Sequence, residues 1–150
     1  MAHSLILFAQ KLKTVSDVAA NDSDKSFTVP VGKRWIINTV WVELTTTSTS
    51  GNRQMVVEVQ SAAGDVLLQA RAGAVIAASG AGNFLFATGV ADLTSVRDTS
   101  YLSTPIPAPL EMDAGEVLRV YDSGPDGAGG IDAAADDMIV HLRHYEQYDV

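Results

Sequence analysis

The chain contains no cysteine, so neither a disulfide framework nor a thiolate metal site can organise it, and its redox compartment is left open. Long hydrophobic runs are missing too. The apolar start "SLILFA" at 4–9 is too short to span a bilayer, and it carries no basic flank and no cleavage site. This predicts no secretory signal and no membrane segment, and a soluble protein made in a cytoplasm. Charged residues are sparse, at 19% of the chain, and histidines number three. No Gly-x-Ser-x-Gly nucleophile elbow, P-loop or His-Glu-x-x-His occurs. "SGAGN" at 79–83 is a lone glycine loop, weak as a phosphate cradle. No cofactor is expected.

What is present suits one folded domain. At 150 residues, 47% of them apolar, the chain is long enough to bury a core. Its net charge of −8 is unevenly placed. Residues 1–110 hold eight acids and eight Lys plus Arg, whereas residues 111–150 hold ten acids against Arg119 and Arg143. One end of the fold is therefore expected to carry a negative field, which repels phosphate backbones and disfavours nucleic acid as a partner. A solvated face is the simplest account of that charge.

The dominant period is two. In "RWIINTVWVEL", strict alternation sets Ile36, Val40, Val42 and Leu44 on one face and Trp35, Ile37, Thr39 and Trp41 on the other. Both faces are substantially apolar, as in a strand between two layers or beside a subunit interface. "QMVVEVQ" alternates likewise, and the polar tract "TTTSTSGN" between the two predicts a hairpin. "SAAGDVLLQ" reverses again, with Gly64 free to take a positive φ. Further strands are expected at "NFLFA", "PLEM", "EVLRVYD" and "DMIVHLRHY". "QARAGAVIAASGAG" reads as strand then loop, because its glycines argue against a long helix. "STPIPAPL" reads as an extended, edge-type connection. "SLILFAQKLKTV" fits helical spacing through Leu5, Phe8, Leu12 and Val15, but a strand or extended arm is preferred.

"TVPVGK" at 28–33 and "EMDAGE" at 111–116 share one order: apolar, Pro or Asp, small, Gly, charged. Each predicts a type I turn that opens a hairpin, with Gly32 and Gly115 at the exits. Two such entries suit an all-β, antiparallel two-sheet sandwich, jelly-roll-like, with an N-terminal strand or arm. Residues 1–26 form that arm or first strand, and 27–150 the sandwich.

The segment "DSGPDGAGGIDAAADD" at 122–137 packs five aspartates and four glycines into its length. A helix-loop-helix calcium loop started at Asp122 would place Asp126 and Gly127 suitably. It fails at Gly124 and Ala133, where ligands are required. The glycine-rich calcium β-roll repeat is approached by Gly127, Gly130 and Asp132 but broken by Ala128. An irregular oxygen site of Asp122, Asp126 and Asp132 is the minor reading. The major one is an acidic connection between the last two strands, with Asp132 capping a helical turn and Asp136 and Asp137 leading into the final strand. Paired-carboxylate hydrolysis needs a fixed separation that a glycine-rich loop would hold poorly. His141 and His144, three apart on a strand, point to opposite faces and cannot share a metal. Trp35 and Trp41 stand roughly 20 Å apart along a strand, too far to grip one sugar ring, and suit core or subunit packing.

Taken together, "FTVPVGKRWIINTVWVEL", "GNRQMVVEV", "PLEMDAGEVLRVYDS" and "IDAAADDMIVHL" resemble small β-sandwich virion proteins of tailed bacteriophages, over roughly residues 27–142. The resemblance implies a non-enzymatic capsid decoration or cement protein, bound to major capsid protein at capsomer junctions and often trimeric. The interface candidates are then the apolar arm Leu5, Ile6, Leu7 and Phe8 together with Trp35 and Trp41, and the location is the virion surface. Alternatives are a head–tail joining or tail component, or a carbohydrate- or calcium-binding module on the same sandwich.

Overall fold

The computed structural model describes residues 10–20, 24–96, 100–123 and 136–148. Among them every regular element is a strand: β1 (Lys11–Asp17), β2 (Asp24–Thr28), β3 (Lys33–Thr45), β4 (Gln54–Gln60), β5 (Val66–Arg71), β6 (Ala81–Ala87), β7 (Tyr101–Pro105), β8 (Leu110–Met112), β9 (Val117–Ser123) and β10 (Asp137–Tyr148). One sheet runs β1-β10-β3-β6-β7, with β8 pairing β3 beside β6; the other runs β2-β9-β4-β5. The two-sheet sandwich is thus as the alternation predicts. All pairs are antiparallel except β6 with β7, which lie parallel. The core lies between the sheets and is built from Val40, Val42, Leu44, Met55, Val57, Phe84, Phe86, Leu118, Val120, Met138 and Leu142 among others.

Three expectations are corrected. The hairpin joining β3 to β4 does not form, since the two strands lie in different sheets. The connection curls instead around the Arg53 guanidinium, which donates to the carbonyls of Thr49 and Gly51. It therefore climbs from one layer to the other rather than turning back within one. The turns at 30–33 and 113–116 are likewise sheet-to-sheet corners. Their third residues, Gly32 and Gly115, take φ of 71° and 87°, the mark of type II rather than type I. Lys33 N–H donates to the Pro30 carbonyl and Glu116 N–H to that of Asp113, both at 3.1 Å. The two corners lie side by side. Val29 N–H donates to the Glu116 carbonyl and Gly115 N–H to that of Val29, both at 3.0 Å. β2–β3 and β8–β9 therefore form one two-stranded ribbon folded over the core, which explains why the same six-residue pattern occurs twice.

The third correction concerns β3. Thr39 pairs with Arg143 and Ile37 with His144, so Asn38 is an extra residue opposite a single step of β10. This bulge reverses the phase. Trp35 and Ile37 face the core before it, and Val40, Val42 and Leu44 after it, while Ile36 lies on the outer side. The β4–β5 reversal is as expected: Gly64 has φ of 92°, and Ser61 N–H donates to the Asp65 carbonyl at 2.8 Å.

Candidate interaction surface

The bulge separates the two tryptophans that strict alternation puts on one face. Trp35 is 4% exposed and sits inside, its ring centroid 4.1 Å from that of His144. Trp41 lies on the outer face, 5.9 Å from Tyr101, with its indole N–H donating to Glu43 at 3.1 Å. Across the strands of this sheet, Trp41 stands between His141 on β10 and Leu85 on β6. Ile139 and Tyr101 belong to the row on one side, and Ile36 and Tyr145 pair beyond the bulge. Ile36, Trp41, Leu85, Tyr101, Ile139 and Tyr145 are all half-buried, with no second layer over them among the described residues. Leu5, Ile6, Leu7 and Phe8 lie outside the described residues.

The outer face of the four-stranded sheet is chemically different. Rows Asp24–Tyr121–Val56–Arg71 and Ser26–Arg119–Glu58–Gln69 cross it. Glu58 accepts from Gln60 at 2.7 Å, from Gln69, and from the Tyr121 hydroxyl at 3.0 Å, with Arg119 at 3.5 Å. Burial works to raise the Glu58 pKa, but those hydrogen bonds and the Arg119 charge outweigh it, so the carboxyl is held below its usual range. Arg119 also binds Asp24 at 2.8 Å. Val56 is fully buried beneath this layer.

The acidic segment begins and ends in buried anchors. Asp122 is in β9, on the side of Leu118 and Val120, and is buried opposite Met55. Asp126 and Asp132, its partners in the minor cation reading, lie outside the described residues, as does the expected helical turn. Asp136 is completely buried and binds Arg53 Nε at 2.7 Å, while its other oxygen accepts from Thr47 N–H at 2.6 Å. Desolvation would raise its pKa, and the Arg53 and Thr47 hydrogen bonds lower it more, so it stays ionised. Asp137 opens β10 as the sequence predicts. Arg53 carried no signal in the sequence. A lone arginine at the end of a Ser/Thr tract reads as surface, and only the tertiary partner 83 residues away makes it structural.

His141 and His144 do point to opposite faces. His141 Nδ1 bonds Ser16 at 2.7 Å on the outer side. His144 is buried, and neither ring nitrogen meets a hydrogen-bond partner. Burial lowers its pKa, Glu146 acting to raise it and Lys13 to lower it further. Among the described residues no group of three His, Asp or Glu is placed to hold a metal ion.

No protein-family model matches the chain, and no curated protein is similar to it in sequence. Solved structures similar to it are largely viral capsid proteins. One from turnip yellow mosaic virus is 7% identical with a TM-score of 0.37, over 99% of this chain and 84% of that one. One from a semi-empty virus-like particle of Macrobrachium rosenbergii nodavirus is 9% identical with a TM-score of 0.34, over 99% and 87%. The VP2 subviral particle of infectious bursal disease virus gives 12% and 0.37, with this chain spanning 38% of its length. A CocE/NonD family hydrolase from Staphylococcus aureus is also similar, at 8% and 0.31, over 33% of its length. At such scores these likenesses carry no weight for what the chain does.

Proposed function

We propose that this protein is a non-enzymatic structural component of a virion, which decorates and stabilises a bacteriophage capsid by binding major capsid protein at capsomer junctions. The observation that carries this reading is the outer face of the six-stranded sheet. There Trp41, Leu85, Tyr101 and Ile139 face outward beside His141, Glu43 and Asn83, while the other sheet satisfies its outer polar groups internally. Apolar surface of that kind on a folded domain marks contact with another macromolecule. The sequence resemblance to small phage virion proteins supplies the kind of partner. The apolar arm at Leu5 to Phe8 adds contact area. The protein acts as a homo-oligomer, for which the resemblance implies a trimer.

The test is to mix the purified protein with undecorated capsids and image them. Regular density at capsomer junctions is expected. It should be lost for Trp41→Ser and weakened by deletion of residues 2–9, with thermal melting unchanged for the deletion. Wild-type protein that leaves capsids bare would overturn the decoration role and favour a neck or tail position.

A further inference from the structure

The six-stranded sheet ends in two unlike edges. On β7 the outward edge is covered: Leu93 N–H donates to the Ser103 carbonyl at 3.0 Å, and the Ser103 hydroxyl donates to that of Ala91 at 2.7 Å. β1, at the opposite end, pairs with β10 and makes no backbone hydrogen bond on its other side among the described residues. Its side chains are exposed or half-exposed throughout, Leu12 at 40% and Val15 at 37%. An open row of N–H and C=O groups is a template for another strand.

We propose that β1 pairs antiparallel with β1 of a second copy of this chain, across a twofold axis normal to the sheet, making one continuous sheet of the two. Such an axis keeps each side chain on the same face as the one opposite, so only registers centred on a residue are available. The register that pairs the whole strand is centred on Thr14. It sets Leu12 against Ser16, Lys13 against Val15, and Lys11 against Asp17 at both ends. In sequence order β1 is therefore its own charge complement. Centring on Lys13 would oppose two lysines, which destabilises a strand pair, and centring on Val15 would push Lys11 off the end of the strand.

Lysines on an edge strand ordinarily ward off pairing. Here one of the two is already neutralised, since Lys13 binds Glu146 of its own chain at 2.6 Å. Lys11 has no ion pair among the described residues and gains one in this register. Asp17 lies 3.5 Å from Lys25 and is 41% exposed, so it keeps an open side for a second cation. The seam uses a sheet edge and leaves the Trp41 face uncovered, so it is compatible with capsid binding, but it puts a dimer in place of the trimer that the sequence resemblance implies.

Sedimentation of the full-length protein should give a dimer of the 15.8 kDa chain that dissociates on dilution. Lys11→Glu or Asp17→Lys should each raise the dissociation constant roughly tenfold, by opposing like charges at both ends. The double reversal should restore it. Because the chain has no cysteine, Thr14→Cys introduces a single thiol that meets its own copy across the axis. Mild oxidation should link it into a covalent dimer, and Val18→Cys, well off the axis, should stay unlinked. Circular dichroism checks that each variant folds. A wild-type monomer or trimer would overturn the proposal, as would Thr14→Cys linking no faster than Val18→Cys.

Discussion

The two outer faces of this sandwich solve the same problem in opposite ways. On the four-stranded sheet the outward polar side chains satisfy one another, and the exposed apolar ones, Val66 and Leu67, sit at its β5 edge. Glu58 gathers Gln60, Gln69, Tyr121 and Arg119, and Val56 is sealed beneath them. On the six-stranded sheet the outward side chains have few such partners: Trp41 reaches Glu43, His141 reaches Ser16, and Leu85, Ile139 and Ile36 are apolar. A face whose polar groups already hold each other gains little from a partner and would lose much by being desolvated. A face of half-buried apolar side chains gains on being covered. The contrast lies in side-chain chemistry alone, since both sheets share the same core.

The largest effect should come from the contact that ties the two sheets together and so serves both faces. Removing the Asp136 carboxylate (Asp136→Ala) leaves the buried Arg53 guanidinium without its anion. It should cost about 3–5 kcal/mol in urea unfolding. Next, Glu58→Leu should cost roughly 2 kcal/mol, because several donors lose their acceptor at once. Trp41→Ser, at the matching place on the other sheet, should cost only about 1 kcal/mol while abolishing capsid binding. If Trp41→Ser proved as destabilising as Glu58→Leu, the distinction between a self-satisfied face and a contact face would collapse.

The smallest effect is one of pH. An unfolded imidazole binds its proton at about pH 6.5, and burial lowers the His144 pKa in the folded state. Between those two values the unfolded chain binds more protons, so stability rises with pH there. The contribution is complete above about pH 6.5 and is lost as pH falls through the folded pKa. His144→Phe should remove this slope, keep the packing on Trp35, and gain about 1 kcal/mol at low pH, read by thermal melts across pH 5–8. The carboxyls of Asp136, Glu58 and Glu146, all held below their usual range, act in the same direction lower down. They stabilise above about pH 4 and cease to do so as acid protonates them.

Much of the fold was legible because period-two alternation reports burial directly. The strands at 54–60, 83–87, 116–122 and 137–145 appear where the pattern puts them, and Val40, Val42 and Leu44 share one face as expected, which the structure shows to be the core face. Sheet membership was not legible. The tract "TTTSTSGN" has the composition of a hairpin loop, and nothing local reveals that Arg53 holds it open. β7 was legible only in part, through the extended, edge-type "STPIPAPL", because its short run "YLSTP" adjoins prolines, and its parallel pairing with β6 is a long-range choice. The charge reading shifts as well. Of the acids crowded into 111–150, Glu111 and Asp113 meet Arg34, Asp136 meets Arg53, and Glu146 meets Lys13 and Lys33. Segregation along the chain is partly undone in space. Of the interface candidates, Trp41 lies on the outer face and Trp35 is interior, and alternation alone could not tell them apart.

Asn38 shows how much one residue can decide. A strand is read in twos, and this extra residue acts as a frameshift that a deletion would reverse. Without it, the stretch before position 38 would be re-addressed: Trp35 and Ile37 sent to solvent, Ile36 and Arg34 sent inward. Insertions and deletions are usually tolerated in loops and costly in strands. At this position the cost would be an inversion of which side of the molecule half a strand belongs to, with every residue type left unchanged.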